Sequence, residues 1–73
     1  MSRPKKRSLT LRGHRTSVSL EDEFWDAFRE IAAAQGRALN ELAAEIDAER
    51  GMDTGLASEI RLFVLRALKS RKA

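Results

Sequence analysis

Apolar and polar residues alternate along Arg15-Thr16-Ser17-Val18-Ser19-Leu20, the period of a half-buried β-strand. Thr16, Val18 and Leu20 share one face, and Arg15, Ser17 and Ser19 the other. The backbone N–H and C=O groups of a lone strand need partners. A short chain finds them most cheaply in the same strand of a second copy, so this strand predicts a dimer. Leu9 and Leu11 alternate with Ser8, Thr10 and Arg12 in a second run, upstream of Gly13-His14. These apolar residues are odd-numbered while Val18 and Leu20 are even-numbered, so one unbroken strand would send the two sets to opposite faces. A two-residue Gly13-His14 turn resolves the parity by setting Leu9 opposite Val18 and Leu11 opposite Thr16. Ser8 and Thr10 then join Arg15, Ser17 and Ser19 on the outer face. A bulge, or an unstructured arm before Arg15, resolves it equally well.

Beyond Leu20 the period changes to that of a helix. Phe24, Ala27, Phe28 and Ile31 recur at i, i+3, i+4 and i+7 within Glu21 to Gln35, acids crowd the first turn, and Gly36 ends the helix. Trp25 lies beside the stripe, placed for core packing or for packing across a dimer interface. A second helix spans about Leu39 to Glu49, with Leu39, Leu42, Ala43 and Ile46 on one side and Gly51 closing it. The third runs from about Leu56 to Ser70 behind the turn-forming Asp53-Thr54-Gly55. Its main stripe is Leu56, Ile60, Phe63, Val64 and Ala67, and Leu62, Leu65 and Leu68 widen it. A helix apolar over so much of its surface is expected to be buried on more than one side, at the centre of a dimer core.

With 73 residues there is room for one domain. A core of this size buries only roughly 60% of the unfolded surface and is usually reinforced by disulfides, a metal or oligomerisation. The chain has no cysteine and one histidine, which excludes a disulfide framework and the common zinc sites and leaves oligomerisation. No apolar run approaches the roughly 18 residues of a membrane span, and no apolar segment follows the basic start as a secretory signal requires, so a cytoplasmic location is expected.

Charge is strongly segregated. Residues 1–15 carry +6 with no acid, residues 16–68 carry −6, and residues 69–73 carry +3. A basic arm on an acidic body is the footprint of polyanion binding, because each neutralised phosphate releases counterions while the body stays out of contact. A solvated tail that only aids solubility would look similar. Catalytic chemistry has no foothold: His14 sits in a basic turn with no thiol in the chain, and Glu21, Asp22 and Glu23 read as first-turn charges of a helix. No glycine-rich phosphate loop is present, and neither a cofactor nor a metal is called for.

The run Gly13-His14-Arg15-Thr16-Ser17-Val18-Ser19-Leu20-Glu21, followed by Phe24-Trp25 and then Gly36-Arg37-Ala38-Leu39-Asn40-Glu41-Leu42, resembles the ribbon-helix-helix (MetJ/Arc-type) proteins. It is similar in particular to small bacterial members with a Gly-His-x-Thr-Ser-Val-Ser-Leu-Glu start and a later Leu-x-Ser-x-Ile-Arg-x-Phe-Val-Leu helix, matched by Leu56 to Leu65. The likeness covers residues 13–68. It implies a mostly α chain with a short N-terminal strand, a ribbon-helix-helix with an additional C-terminal helix, forming an intertwined homodimer through an intermolecular antiparallel β-ribbon. On this reading residues 1–14 are a basic arm, with a short strand at 8–12 under the hairpin alternative, residues 15–70 the domain and residues 71–73 a basic end.

The resemblance implies that the ribbon enters the major groove of double-stranded DNA. By position, Arg15, Ser17 and Ser19 would touch base edges, where an arginine binds guanine bidentately and hydroxyls donate or accept. The bland reading of the serines is solvent-facing strand polars, with Ser19 capping the first helix. Family members also offer a phosphate the N-terminus of the second helix, here Arg37, Ala38, Leu39 and Asn40. Ala38 stands where many relatives have serine, so no hydroxyl is offered. Arg3, Lys5, Lys6, Arg7 and Arg12 would add phosphate contacts. Val18, Leu20, Phe24, Phe28, Leu42, Ile46, Ile60, Phe63 and Val64 would form the dimer core. The expectation is a bacterial transcriptional repressor, not an enzyme, homodimeric and nucleoid-associated. The alternatives are a protein–protein interaction module or an antitoxin-like partner protein whose basic arm is incidental.

Overall fold

A computed structural model describes residues 3–71 of the chain. Met1 and Ser2 of the basic arm, and Lys72 and Ala73 of the basic end 71–73, lie outside the described residues. Two strands, β1 (Lys5–Leu11) and β2 (His14–Leu20), form an antiparallel hairpin. Three helices follow: α1 (Asp22–Ala34), α2 (Leu39–Glu49) and α3 (Leu56–Ser70).

The partner that β2 needs is supplied within the chain. From Lys5 onward the basic arm is half of a hairpin, and the bulge and the unstructured arm are not realised. The turn differs from the expected one by a residue. Its two central residues are Arg12 (φ 52°) and Gly13 (φ 85°), both left-handed, as a type I′ hairpin turn requires. Leu9 therefore faces Thr16, not Val18, and Leu11 faces His14, while Arg7 faces Val18. This two-residue slip keeps every residue on its expected face, because the side-chain period is two. Leu9, Val18 and Leu20 are buried beneath the ribbon, and Lys6, Ser8, Thr10, Arg15, Ser17 and Ser19 are exposed above it.

The α1–α2 corner follows from Gly36 (φ 66°), which donates to the Ala33 carbonyl while Arg37 donates to that of Ala32. These two bonds satisfy the last carbonyls of α1 in a Schellman motif. At the other end Glu21, not Ser19, is the N-cap residue, since Ser19 is still in the strand. α2 stops differently from expectation: Arg50 turns extended (φ −71°, ψ 150°), so the helix ends before Gly51, which stays outside the left-handed region.

Leu9, Val18, Leu20, Phe28, Ile31, Ala32, Leu42, Ala43, Ile46, Ile60 and Val64 form one continuous core, with Phe24, Trp25 and Phe63 packed against it in part-buried positions. The residues expected in a dimer core thus pack inside a single chain. Phe28 is its centre, fully buried, edge-on to Phe63 with ring centroids 6.1 Å apart and tilted against Trp25 at 6.4 Å. Within this chain α3 buries Ile60 and Val64. Leu62, Leu65 and Leu68 are 39%, 51% and 39% exposed on the remainder of the helix.

Candidate nucleic-acid interface

Two arginines clamp the corner between β2 and α1 and so hold the ribbon at a fixed angle to the helices. From β1, Arg7 reaches across to donate from Nη2 to the Leu20 carbonyl at 3.3 Å, forms an ion pair with Asp22, and lies 5.5 Å from the Trp25 ring centroid. From α3, Arg61 donates through Nε to Glu21 at 3.0 Å and through Nη2 to the Ser19 carbonyl at 3.3 Å, and lies 5.7 Å from the Phe24 ring. Lys5 adds a 3.1 Å pair with Asp22. Asp22 is accordingly held below the usual carboxylate range, by Arg7 first and Lys5 second. Glu21 is held low by its own backbone N–H and then by Arg61.

These clamps divide the basic residues into two sets. Arg7 has a side chain only 17% exposed and spends its charge on Asp22; Lys5 shares the same carboxylate. Arg37 is paired with Glu45. By contrast, no ion pair among the described residues holds Lys6, Arg12 or Arg15, which are exposed on the outer face and at the tip of the hairpin. Arg3 lies exposed ahead of β1.

Across the outer face the register sets Lys6 opposite Ser19, Ser8 opposite Ser17 and Thr10 opposite Arg15. Arg15, Ser17 and Ser19, chosen from the sequence, stand together with Ser8 and Thr10, which the sequence placed there but gave no base contact, and with Lys6, which it left in the basic arm. The signal for Ser8 and Thr10 was the odd–even parity of the two runs. The whole face consists of two bases and four hydroxyls, with no acid.

The tip of the ribbon meets the start of α2. The Thr10 backbone N–H donates to Asn40 Oδ1 at 3.1 Å, and a shallow cleft of about 290 Å³ is lined by Thr10, Arg12, Asn40, Glu41 and Ala44. Ala38 is the N-cap residue and makes no side-chain cap. The first helical bond runs from the Leu42 N–H to the Ala38 carbonyl, so the N–H groups of Leu39, Asn40 and Glu41 have no acceptor within the helix. Arg12, Asn40 and the α2 N-terminus are brought together; Arg37, in the α1–α2 connection, is turned onto Glu45 of α2.

The ribbon face and the free N–H groups of a helix start thus flank the cleft, with the Glu41 carboxylate also in its lining. Among the described residues no group of three or more His, Asp or Glu side chains could hold a metal ion, and no helix is long and apolar enough to cross a membrane.

Comparison with known proteins agrees with this geometry. No curated protein matches the chain. A solved structure, that of an uncharacterized protein from Bordetella pertussis Tohama I, is similar with 36% identity and a TM-score of 0.77 over 93% of this chain. The likeness takes in 58% of that longer chain. The model of the ribbon-helix-helix domain matches residues 4–68, from the start of β1 to the last turn of α3. The chain therefore belongs to the ribbon-helix-helix domain family, a DNA-binding, regulatory fold.

Proposed function

We propose that this chain is a sequence-specific DNA-binding protein, a bacterial transcriptional repressor that reads a short inverted repeat as a homodimer, in the cytoplasm and on the nucleoid. The observation that carries the reading is the composition of the ribbon's outer face: Lys6, Ser8, Thr10, Arg15, Ser17 and Ser19, without one acid in residues 1–20. A two-stranded ribbon fits the major groove, and side chains on its outer face meet base edges there. Arg15 is the discriminating contact, about 1–3 kcal/mol for a bidentate arginine–guanine pair, with Ser17 and Ser19 as adaptable donors and acceptors.

Phosphates on either side are met by Arg12 at the tip, by Lys6 at the far end of β1, by Arg3 ahead of it, and by the α2 start at Leu39 and Asn40. A left-handed arginine supports the assignment for Arg12. Non-glycine residues are uncommon at positive φ, and one retained at a basic hairpin tip points to a use for its side chain.

Selection of bound sites from a random DNA pool tests the reading. The wild-type chain should enrich one motif, and Arg15→Ala with Ser17→Ala should lose preference for it while the far-UV circular dichroism stays unchanged. Equal enrichment by the double variant would overturn ribbon reading. A protein-docking module would bind DNA weakly, without a motif.

A further inference from the structure

We infer that Arg61 of α3 is a positioning residue for DNA recognition: it pins the end of β2 so that Ser19 meets its base at a set depth, while Arg15 at the other end of the strand does not depend on it. The inference rests on the ribbon-reading proposal above. It places a determinant of specificity in the helix that lies beyond the two counted in the family's name.

The Ser19 carbonyl is available to α3 because β1 does not use it. In a hairpin closed by a two-residue turn the flanking pair, here Leu11 and His14, exchanges hydrogen bonds, and so does every second pair after it. Lys6 and Ser19 fall between such pairs, so the backbone groups of Ser19 point away from β1. Arg61 donates to that carbonyl through Nη2 at 3.3 Å. The same guanidinium binds Glu21 through Nε at 3.0 Å and Nη2 at 2.9 Å, and lies over the Phe24 ring. A planar fork serves two acceptors in one fixed plane, which the ammonium of a lysine does not. Its base is also rigid, since Ile60 beside it is fully buried and Val64 nearly so. Residues 19 and 21 are thus tied to the core on either side of the buried Leu20.

This tie bears on reading in two ways. A serine side chain is short, so any displacement of its backbone carries the hydroxyl out of hydrogen-bond range, whereas the long Arg15 can adjust. The two residues are four apart, about 13 Å along the strand, and the clamp acts at the Ser19 end only. The second effect is electrostatic. Glu21 is the first acid of the chain and stands two residues from Ser19. Arg61 neutralises that carboxylate where its repulsion of phosphate would lift the end of the ribbon out of the groove.

Site selection and DNA titration with the full chain test the inference. Ser19→Ala marks the base position that Ser19 reads, as the one where preference is lost. Arg61→Met with Glu21→Gln removes the clamp at constant net charge and keeps an unbranched stem over Phe24. This pair of changes should lower preference at that same position roughly tenfold, the scale of one base contact, and leave the salt slope and the position read by Arg15 unchanged. Adding Ser19→Ala to it should cost nothing further, because the clamp acts through Ser19. Ile60→Val, in the same helix, should lower the unfolding midpoint and leave the motif intact, which separates positioning from stability. Five results overturn the role of Arg61 alone: full preference in Ser19→Ala, an intact motif without the clamp, a loss additive with Ser19→Ala, a slope reduced by about 0.9, or the same relaxation in Ile60→Val. A wild-type chain that enriches no motif overturns the DNA reading and this inference together.

Discussion

The side-chain oxygen of Asn40 accepts the backbone N–H of Thr10 at 3.1 Å, joining the first turn of α2 to the outer edge of β1. This bond closes a strand edge and sets the distance between ribbon and helix start. Asn40→Ala should cost about 0.5–1.5 kcal/mol, toward the low end because water reaches the freed N–H. Asn40→Asp keeps the acceptor and adds a charge the helix dipole favours, so stability should hold. The same charge faces the proposed phosphate, and DNA affinity should fall roughly tenfold. Urea unfolding followed by Trp25 fluorescence, beside DNA titration, separates the two effects. An aspartate variant that binds DNA like the wild type would remove Asn40 from the interface.

Phe28 is fully buried between Trp25 and Phe63. Truncation to alanine should cost about 3–5 kcal/mol. A domain of this length has roughly 4–11 kcal/mol in total, so the variant should be close to unfolding at room temperature. Phe28→Leu keeps most of the volume and should stay folded with a lower midpoint. If Phe28→Ala unfolds at the wild-type urea concentration, the core is not organised around this ring.

The arginine clamps make stability depend on acid. Asp22 and Glu21 are both held below the ordinary carboxylate range in the folded chain. The unfolded chain therefore binds protons more readily than the folded one on the acid side. Their contribution is complete above the unfolded pKa, about 4, and is lost as pH falls through the lower folded values. Thermal midpoints should drop on acidification, and the drop should be shallower in Asp22→Asn. Parallel curves for the two proteins would show that the Arg7–Asp22 pair does not couple the ribbon to α1.

The helices were legible because their apolar stripes are long and regular: Phe24, Ala27, Phe28 and Ile31 fix the buried side of α1, and α2 and α3 begin at Leu39 and Leu56 as the pattern predicts. The beginning of β1 was hidden for a physical reason. Arg7 occupies an inward position, opposite Val18, where alternation calls for an apolar residue. Its charge is tolerated there because Asp22, the Leu20 carbonyl and the Trp25 ring receive it, and no local pattern announces a partner fifteen residues away. The turn was misplaced by one because Arg12 carries no turn signature, although it adopts a left-handed conformation. Leu62, Leu65 and Leu68 read as core since periodicity reports apolarity and not which chain covers it. In the interface, Arg15, Ser17 and Ser19 followed from β2 alone, whereas separating Lys6 and Arg12 from Lys5 and Arg7 needed the position of Asp22.

The hairpin tip sets stability against binding. A non-glycine residue in the left-handed region costs about 1–2 kcal/mol, and asparagine tolerates it better than arginine. Arg12→Asn should therefore raise the unfolding midpoint while weakening DNA binding. Gly13→Ala, which puts a side chain at φ 85°, should lower stability by about 1 kcal/mol or more. An asparagine variant no more stable than the wild type would mean that Arg12 makes compensating contacts in the free protein.

Salt dependence distinguishes bases that meet phosphate from bases that hold the fold. The affinity of a DNA-binding protein falls with salt by about 0.9 log unit per phosphate contact for each log unit of salt. Lys6 and Arg12 are exposed and outside any described ion pair, so Lys6→Ala and Arg12→Ala should each reduce that slope by about 0.9. Arg7 is largely enclosed and engaged by Asp22. Arg7→Ala should lower the unfolding midpoint and leave the slope nearly unchanged. Lys5, 60% exposed yet paired to the same carboxylate, should fall between. Titrations of one duplex at several salt concentrations yield all four slopes. A loss of slope in Arg7→Ala equal to that in Arg12→Ala would show that the Asp22 pair opens on binding, freeing the arginine for phosphate and loosening the ribbon from α1.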